Sequence, residues 1–113
     1  MQAMRAAMLF VLLTIGTTAN AELTVEDYQT ALKRAGASRE LVGNYLAGLG
    51  RGIWLANGLC KNCFFCPPEN VVANQANFKE WLEDEIDRRA APSDYIEILL
   101  MVKMMDVFPC PKR

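Results

Sequence analysis

Leu59-Cys60-Lys61-Asn62-Cys63-Phe64-Phe65-Cys66-Pro67-Pro68-Glu69 divides the chain and decides how the rest is read. Pro67 and Pro68 stop any helix from running through, because proline lacks a backbone donor and its ring clashes with the turn before it. Three of the four cysteines stand in this stretch, and the fourth, Cys110, lies near the end of the chain. The stretch is therefore a stapled loop between helices.

On its N-terminal side the pattern is helical. Ser38 is positioned to cap a helix running to about Gly58, with Leu41, Val42, Tyr45, Leu46, Leu49, Ile53, Trp54 and Leu55 as its apolar residues. Gly43, Gly48, Gly50 and Gly52 interrupt it. Each glycine costs up to ~1 kcal/mol in a helix interior, so several in one helix need a reason. Gly48 and Gly52 share a face, which would be smooth enough either for close packing inside the domain or for docking a partner. Ahead of this helix, Thr24 with Asp27 three residues on forms an acidic variant of a capping box. Leu23, Tyr28, Ala31 and Leu32 have helical spacing, and Gly36 is a good terminator.

On the C-terminal side, Asn70 is positioned to cap a helix to about Arg89, with Phe78, Trp81, Leu82 and Ile86 as its stripe. Lys79, Glu80, Glu83, Asp84 and Asp87 form the other face, as a solvated surface or as a face for a basic partner. Pro92 fits the first turn of a fourth helix. From Tyr95 to Phe108 eleven of fourteen residues are apolar, broken by Glu97, Lys103 and Asp106. Ile96, Leu100 and Met104 mark one side, and Leu99, Val102 and Met105 another. A surface helix needs less than this. The helix is either central to the bundle or shared with a second subunit, and a homodimer through it is expected. No segment shows strand alternation and none repeats. The expected fold is all-α: a small disulfide-bonded bundle of about four main helices.

Residues 1–21 read as an address. Arg5 precedes an apolar run over residues 8–16, and Ala19-Asn20-Ala21 ends the segment with the small-residue pattern of a secretory signal peptide cut after Ala21. The run is about half of the ~20 residues that span a bilayer, so no membrane attachment is expected after cleavage. Glu22–Arg113 would be one mature domain in the periplasm, with 11 basic and 13 acidic residues. A slightly acidic balance argues against nucleic acid, whose binders carry a basic excess. The 113 residues contain no His, which removes Ser-His-Asp and Cys-His catalysis and histidine zinc sites. Catalytic residues and cofactors are not expected.

The cysteines are the one sharp constellation. Cys60-x-x-Cys63-x-x-Cys66 with a remote Cys110-Pro111 imitates an iron–sulfur ligand set. A cluster needs folded export, though, and the leader has no twin-Arg pair. Zinc held by four thiolates is disfavoured by an oxidising compartment. Cys60 and Cys63 could instead be a redox pair, with Lys61 favouring a thiolate. Yet no strand–helix pattern of the usual redox scaffold is present. Structural disulfides remain the default, and four cysteines allow three pairings. A Cys66–Cys110 bridge would close a loop of about 45 residues, worth roughly 4 kcal/mol of chain entropy, beside a tight Cys60–Cys63 bridge of little entropic worth. That pairing is preferred; the spacing does not decide it.

Three segments carry a resemblance to a known family: Tyr45-Leu46-Ala47-Gly48 in a glycine-rich helix, Phe65-Cys66-Pro67-Pro68, and Phe108-Pro109-Cys110, with Phe78-Lys79-Glu80-Trp81-Leu82 between the last two. In this order and spacing, over roughly residues 39–110, the chain resembles the Rap/Tai immunity protein family. Members are small, exported, disulfide-bonded helical proteins, many of them dimeric, which bind and inhibit peptidoglycan amidases delivered by the type VI secretion system. The resemblance implies that Cys66 pairs with Cys110. An earlier cysteine pair of the family is missing, with Val42 at one of its positions, while Cys60 and Cys63 look like an addition. It implies an immunity protein that occludes the active site of a secreted amidase. The candidate contacts are Arg51, Trp54, Phe64 and Phe65, with the acidic face of the third helix beside them. The competing readings are a periplasmic structural or stress protein without a toxin partner, and a thiol–disulfide protein using Cys60 and Cys63.

Overall fold

The computed structural model describes residues 22–34 and 36–112; the leader and its cleavage site lie outside them. The described residues form four helices in order: α1 (Val25–Lys33), α2 (Ala37–Leu59), α3 (Gln75–Arg89) and α4 (Ile96–Val107). The described residues contain no strand, only a single antiparallel bridge between Thr24 and Tyr95. The all-α, disulfide-bonded fold read from the sequence is the one found.

Helix α1 begins with the expected capping box. Thr24 Oγ1 accepts from the Asp27 amide at 3.1 Å, and the Asp27 carboxylate accepts from the Thr24 amide at 3.4 Å. The next free amides are satisfied from far along the chain: Val25 N donates to Asp94 O and Glu26 N to Pro92 O, at 2.8 and 3.1 Å. In return Ile96 N donates to Leu23 O at 2.9 Å, so α1 and α4 start from one interlocked node. Glu97 completes it, accepting from Leu23 N at 2.8 Å and from the Tyr45 hydroxyl at 2.5 Å. Burial, then the hydrogen bond to Glu97 and its charge, push the Tyr45 pKa up to about 12.

Three helix starts differ from the sequence expectation. Ser38 is not the cap of α2: the chain turns at Gly36, whose φ of 82° suits a residue without Cβ, and Ser38 falls inside the first turn. The joint is held instead by Arg39, whose guanidinium donates twice to Leu32 O, at 3.0 and 2.7 Å. Asn70 does not cap α3. Val71 and Ala73 first pack against the core in irregular chain, and Asn74 caps the helix by accepting from Asn77 N at 2.9 Å. Pro92 precedes α4 rather than opening it. Its carbonyl is engaged by α1, and the Asp94 carboxylate closes a turn on Ala91 N at 2.7 Å.

The core joins Val25 and Tyr28 of α1, Val42 and Leu46 of α2, Phe78 and Leu82 of α3, and Ile96, Leu99, Leu100 and Met104 of α4. Phe65 and Phe108 close one end with Trp54 and Trp81. The two indoles stack at 6.3 Å, and Phe108 stands edge-on to both, at 5.9 and 5.5 Å. The Cys66–Cys110 disulfide sits directly outside this cluster, where Cys66 N donates to Phe108 O at 2.8 Å. The second bridge is Cys60–Cys63. Lys103 is buried on α4 and neutralised by an ion pair to Asp84 on α3.

Glycine usage in α2 is the main surprise of packing. Gly48 and Gly52 do not face the domain: a methyl group at either would meet nothing within 4 Å. The close approaches are at Gly43, against the Gln75 side chain, and at Gly50, against the Phe78 ring. The expectation that Gly48 and Gly52 serve internal packing is corrected, since they lie on the other side of the helix from Gly50.

Candidate protein-docking surface

Helix α2 is 23 residues long and buries only one side, along Val42, Leu46, Gly50 and Asn57. At 100° per residue, Leu41, Gly48, Gly52, Leu55 and Leu59 fall together on the opposite side. Leu41, Leu55 and Leu59 are 67%, 58% and 87% exposed. The two glycines between them leave the backbone bare. From Leu41 to Leu59 the helix carries a single charge, Arg51, which borders this stripe and is exposed. An uncovered row of leucines flanking bare helix backbone is the shape that another helix or strand packs against at short range.

Beyond α2 the chain turns through Cys60–Cys66, and one buried side chain shapes that turn. Asn57 Oδ1 accepts from the amides of Phe64 and Phe65, both at 3.0 Å. Its Nδ2 donates to Phe65 O at 2.9 Å and to Asn62 Oδ1 at 3.2 Å. Its own carbonyl accepts from Asn62 N at 2.8 Å. The pin holds Lys61 and Asn62 in the left-handed region, φ 57° and 59°, and turns Phe65 inward and Phe64 outward. The Cys60–Cys63 bridge spans the outside of the turn. Both disulfides line one open recess with Lys61 and Lys112 at its edge.

The four candidate contact residues separate accordingly. Arg51 is exposed, and Phe64 is half-exposed beyond the end of the α2 stripe. Trp54 is partly buried and stacked on Trp81, and Phe65 is completely buried. The acidic face of α3 is exposed at Glu80, Asp84 and Asp87, with Asp84 engaged by Lys103. The Lys103 ammonium holds the Asp84 carboxyl below the usual carboxylate range. On α4, Ile96, Leu100 and Met104 are fully buried and Leu99 nearly so, while Tyr95, Ile98 and Met105 remain as an exposed apolar strip. The second side expected from the sequence is therefore shifted: Leu99 points in and Ile98 points out.

Sequence reading missed Asn57, since a lone asparagine near a helix end has many unremarkable uses. It put Gly48 and Gly52 on one face with partner docking as one of two uses, but did not join the leucines to that face, although the signal was present: Leu41, Gly48 and Leu55 are seven apart, and so are Gly52 and Leu59.

No helix among the described residues is long and apolar enough to cross a membrane. All four cysteine sulfurs are engaged in disulfides, so none stands as a thiolate in this form. No family model, no curated protein and no solved structure matches the chain.

Proposed function

We propose that this chain is a periplasmic immunity-type protein which binds a type VI secreted peptidoglycan amidase and inhibits it by covering its active site. The observation that carries a binding role is the outer face of α2. It leaves three leucines and two unneeded helix glycines in solvent, a costly arrangement for a chain that packs against nothing there. The amidase as target comes from the resemblance to the Rap/Tai family in the segments around Tyr45, Phe65-Cys66 and Phe108-Pro109-Cys110. Arg51 and Phe64 border the face and supply one charged and one aromatic anchor. The exposed strip Tyr95, Ile98 and Met105 on α4 is the proposed contact with a second copy of the chain.

The test is affinity capture with the oxidised mature chain in extracts of cells with an active secretion system, beside the variant Gly52→Arg. A cell-wall amidase that co-elutes with the natural chain, loses activity in the complex and is not held by Gly52→Arg supports the reading. Capture of no amidase, or equal capture by both chains, counts against it.

The exposed Cys60–Cys63 bridge favours a second reading, thiol–disulfide exchange, because its sulfurs are reachable where those of a buried bridge are not. Reduction of that bridge by mild thiol buffers, with turnover on a disulfide substrate, would replace the first reading.

A further inference from the structure

Glu97 stands where the starts of α1 and α4 meet α2. Its Oε1 accepts twice, from Leu23 N at 2.8 Å and from the Tyr45 hydroxyl at 2.5 Å. Its Oε2 is buried and accepts from nothing. No lysine or arginine among the described residues is paired with it. A carboxylate oxygen taken out of water without a donor is costly, and buried charge is normally met by an opposite charge. Half of this carboxylate is satisfied and half is stranded.

The nitrogen able to serve it is next in the chain to one already bound. Leu23 N is fixed on Oε1, and three bonds join it to the nitrogen of Glu22, about 3–3.5 Å away. Glu22 is exposed, yet it belongs to the same surroundings: after burial and Glu97, its carboxylate is the last of the groups that push the Tyr45 pKa up. In the uncut chain the Glu22 nitrogen is a neutral amide with one hydrogen, and Oε2 takes no bond from it. A cut after Ala21, where the leader pattern ends, turns that same nitrogen into an α-amine. With an ordinary pKa of about 7.7–8.0 it is mostly charged at neutral pH. The product has three donors and a positive charge, and it is no longer held in the plane of a peptide bond.

We infer that removal of the leader closes a latch: the new α-ammonium of Glu22 pairs with the Glu97 carboxylate at Oε2 and ties the start of α1 to α4. The inference rests on the leader reading and is independent of the amidase. The same two segments are already joined by Val25 N on Asp94 O and Ile96 N on Leu23 O, so the ion pair strengthens a junction that backbone pairing begins. The device has a direction. Its cation does not exist while the leader is attached, so the precursor lacks one contact that holds α1 to the bundle. A chain exported unfolded is served by a fold that tightens only after the leader is gone.

The experiment starts from the full chain, exported from a bacterial host and purified oxidised, with its N-terminus read by intact mass. A Gly-Ser insertion between Ala21 and Glu22 gives a comparison chain whose ammonium stands two residues further from Glu97. Both chains, each with and without Glu97→Gln, are labelled at neutral pH with a limiting amine-reactive ester. Mass spectrometry reads the α-amine against the exposed Lys79. An unpaired α-amine is less basic than lysine and labels first. The Glu22 α-amine is expected to label at least about tenfold more slowly than that of the inserted chain, and Glu97→Gln to remove the difference. Thermal melts give a second reading: the natural chain melts about 4–8 °C above the inserted one, and the gap closes in Glu97→Gln. Glu97→Asp, which keeps the charge on a shorter arm, replaces Glu97→Gln if that variant does not fold, and should speed labelling severalfold. Equal labelling of the natural and inserted chains, or a slow α-amine unchanged by substitution of Glu97, overturns the latch alone. A natural chain that starts anywhere but Glu22 overturns the leader reading and the latch with it.

Discussion

Replacing Gly50 by alanine tests the packing of the whole bundle at one atom. In an unhindered helix this change stabilises by up to ~1 kcal/mol, because glycine loses more backbone freedom on folding. Here the added methyl carbon would stand 2.3 Å from Phe78 Cδ2 and 2.5 Å from its Cγ and Cε2. Carbon atoms rest at about 3.5–4.0 Å, so the ring or the helix must retreat by more than about 1 Å. The ring cannot swing aside cheaply. Phe78 is fully buried and meets Trp81 edge-on at 5.8 Å, and Trp81 is part of the cluster under the Cys66–Cys110 bridge. Overpacking of this kind costs roughly 1–3 kcal/mol, which exceeds the helix gain. Gly50→Ala should therefore destabilise by about 1–2 kcal/mol, lowering Tm by roughly 5–10 °C for a domain of this size. The same substitution at Gly48 or Gly52 meets open space and should raise stability by about 0.5–1 kcal/mol each. Thermal and urea melts followed by circular dichroism, under oxidising conditions, read both signs. Gly50→Ala as stable as the natural chain, or Gly48→Ala less stable, would refute the helix orientation on which the docking face rests.

Three further outcomes follow from the geometry. Asn57→Ala should cost roughly 2–4 kcal/mol in urea melts, since it strips partners from the Phe64 and Phe65 amides and the Phe65 carbonyl. Replacing Cys66 and Cys110 by serine should cost about 4 kcal/mol, and replacing Cys60 and Cys63 no more than about 2, because the second loop is short. Asp84→Asn should destabilise more than Lys103→Met, as the first strands a buried ammonium and the second removes it. The Asp84 carboxyl titrates below its unfolded value. Its contribution is therefore present above the unfolded pKa of about 3.9 and lost as pH falls through the lower folded value, which acid melts of the natural chain and Asp84→Asn will separate.

The parts of the fold legible in the sequence were those written in local chemistry. Thr24 and Asp27 announced a capping box and made one, and the stretch from Cys60 to Glu69 with its two prolines lies between helices as read. The helix starts at Gly36, Asn74 and Ile96 were less legible because tertiary contacts set them. Val71 and Ala73 are drawn into the core before α3 can begin, and the carbonyls of Pro92 and Asp94 are taken by α1 before α4 can begin. The glycines of α2 show the same limit. Four glycines at plausible spacings cannot reveal which pair meets a neighbour until Phe78 is placed, and it lies on Gly50 rather than Gly48. Likewise Phe64 and Phe65 are equal candidates in sequence, and only the Asn57 pin decides which one faces out.

Gly48 and Gly52 then set stability and binding against each other. Nothing inside the domain requires either glycine, and each costs the isolated helix up to ~1 kcal/mol. A partner backbone lying on the bare stripe would recover that cost, because contact at short range needs no side chain in the way. The face is also inexpensive to order. Glycine has no side chain to immobilise, and leucine loses only about 0.5–1 kcal/mol. The helix beneath it is fixed at one end by Arg39 and Tyr45 and at the other by Asn57 and the Cys66–Cys110 bridge. Preorganisation of this kind leaves more of the contact energy as affinity. Gly48→Ala should accordingly do two opposite things, raising Tm by a few degrees while weakening partner capture by at least about tenfold, the equivalent of ~1.4 kcal/mol. A merely tolerated surface glycine would show only the first effect. If Gly48→Ala and Gly52→Ala both stabilise the chain and a captured partner binds them undiminished, the partner docks elsewhere and the exposed leucines need another explanation.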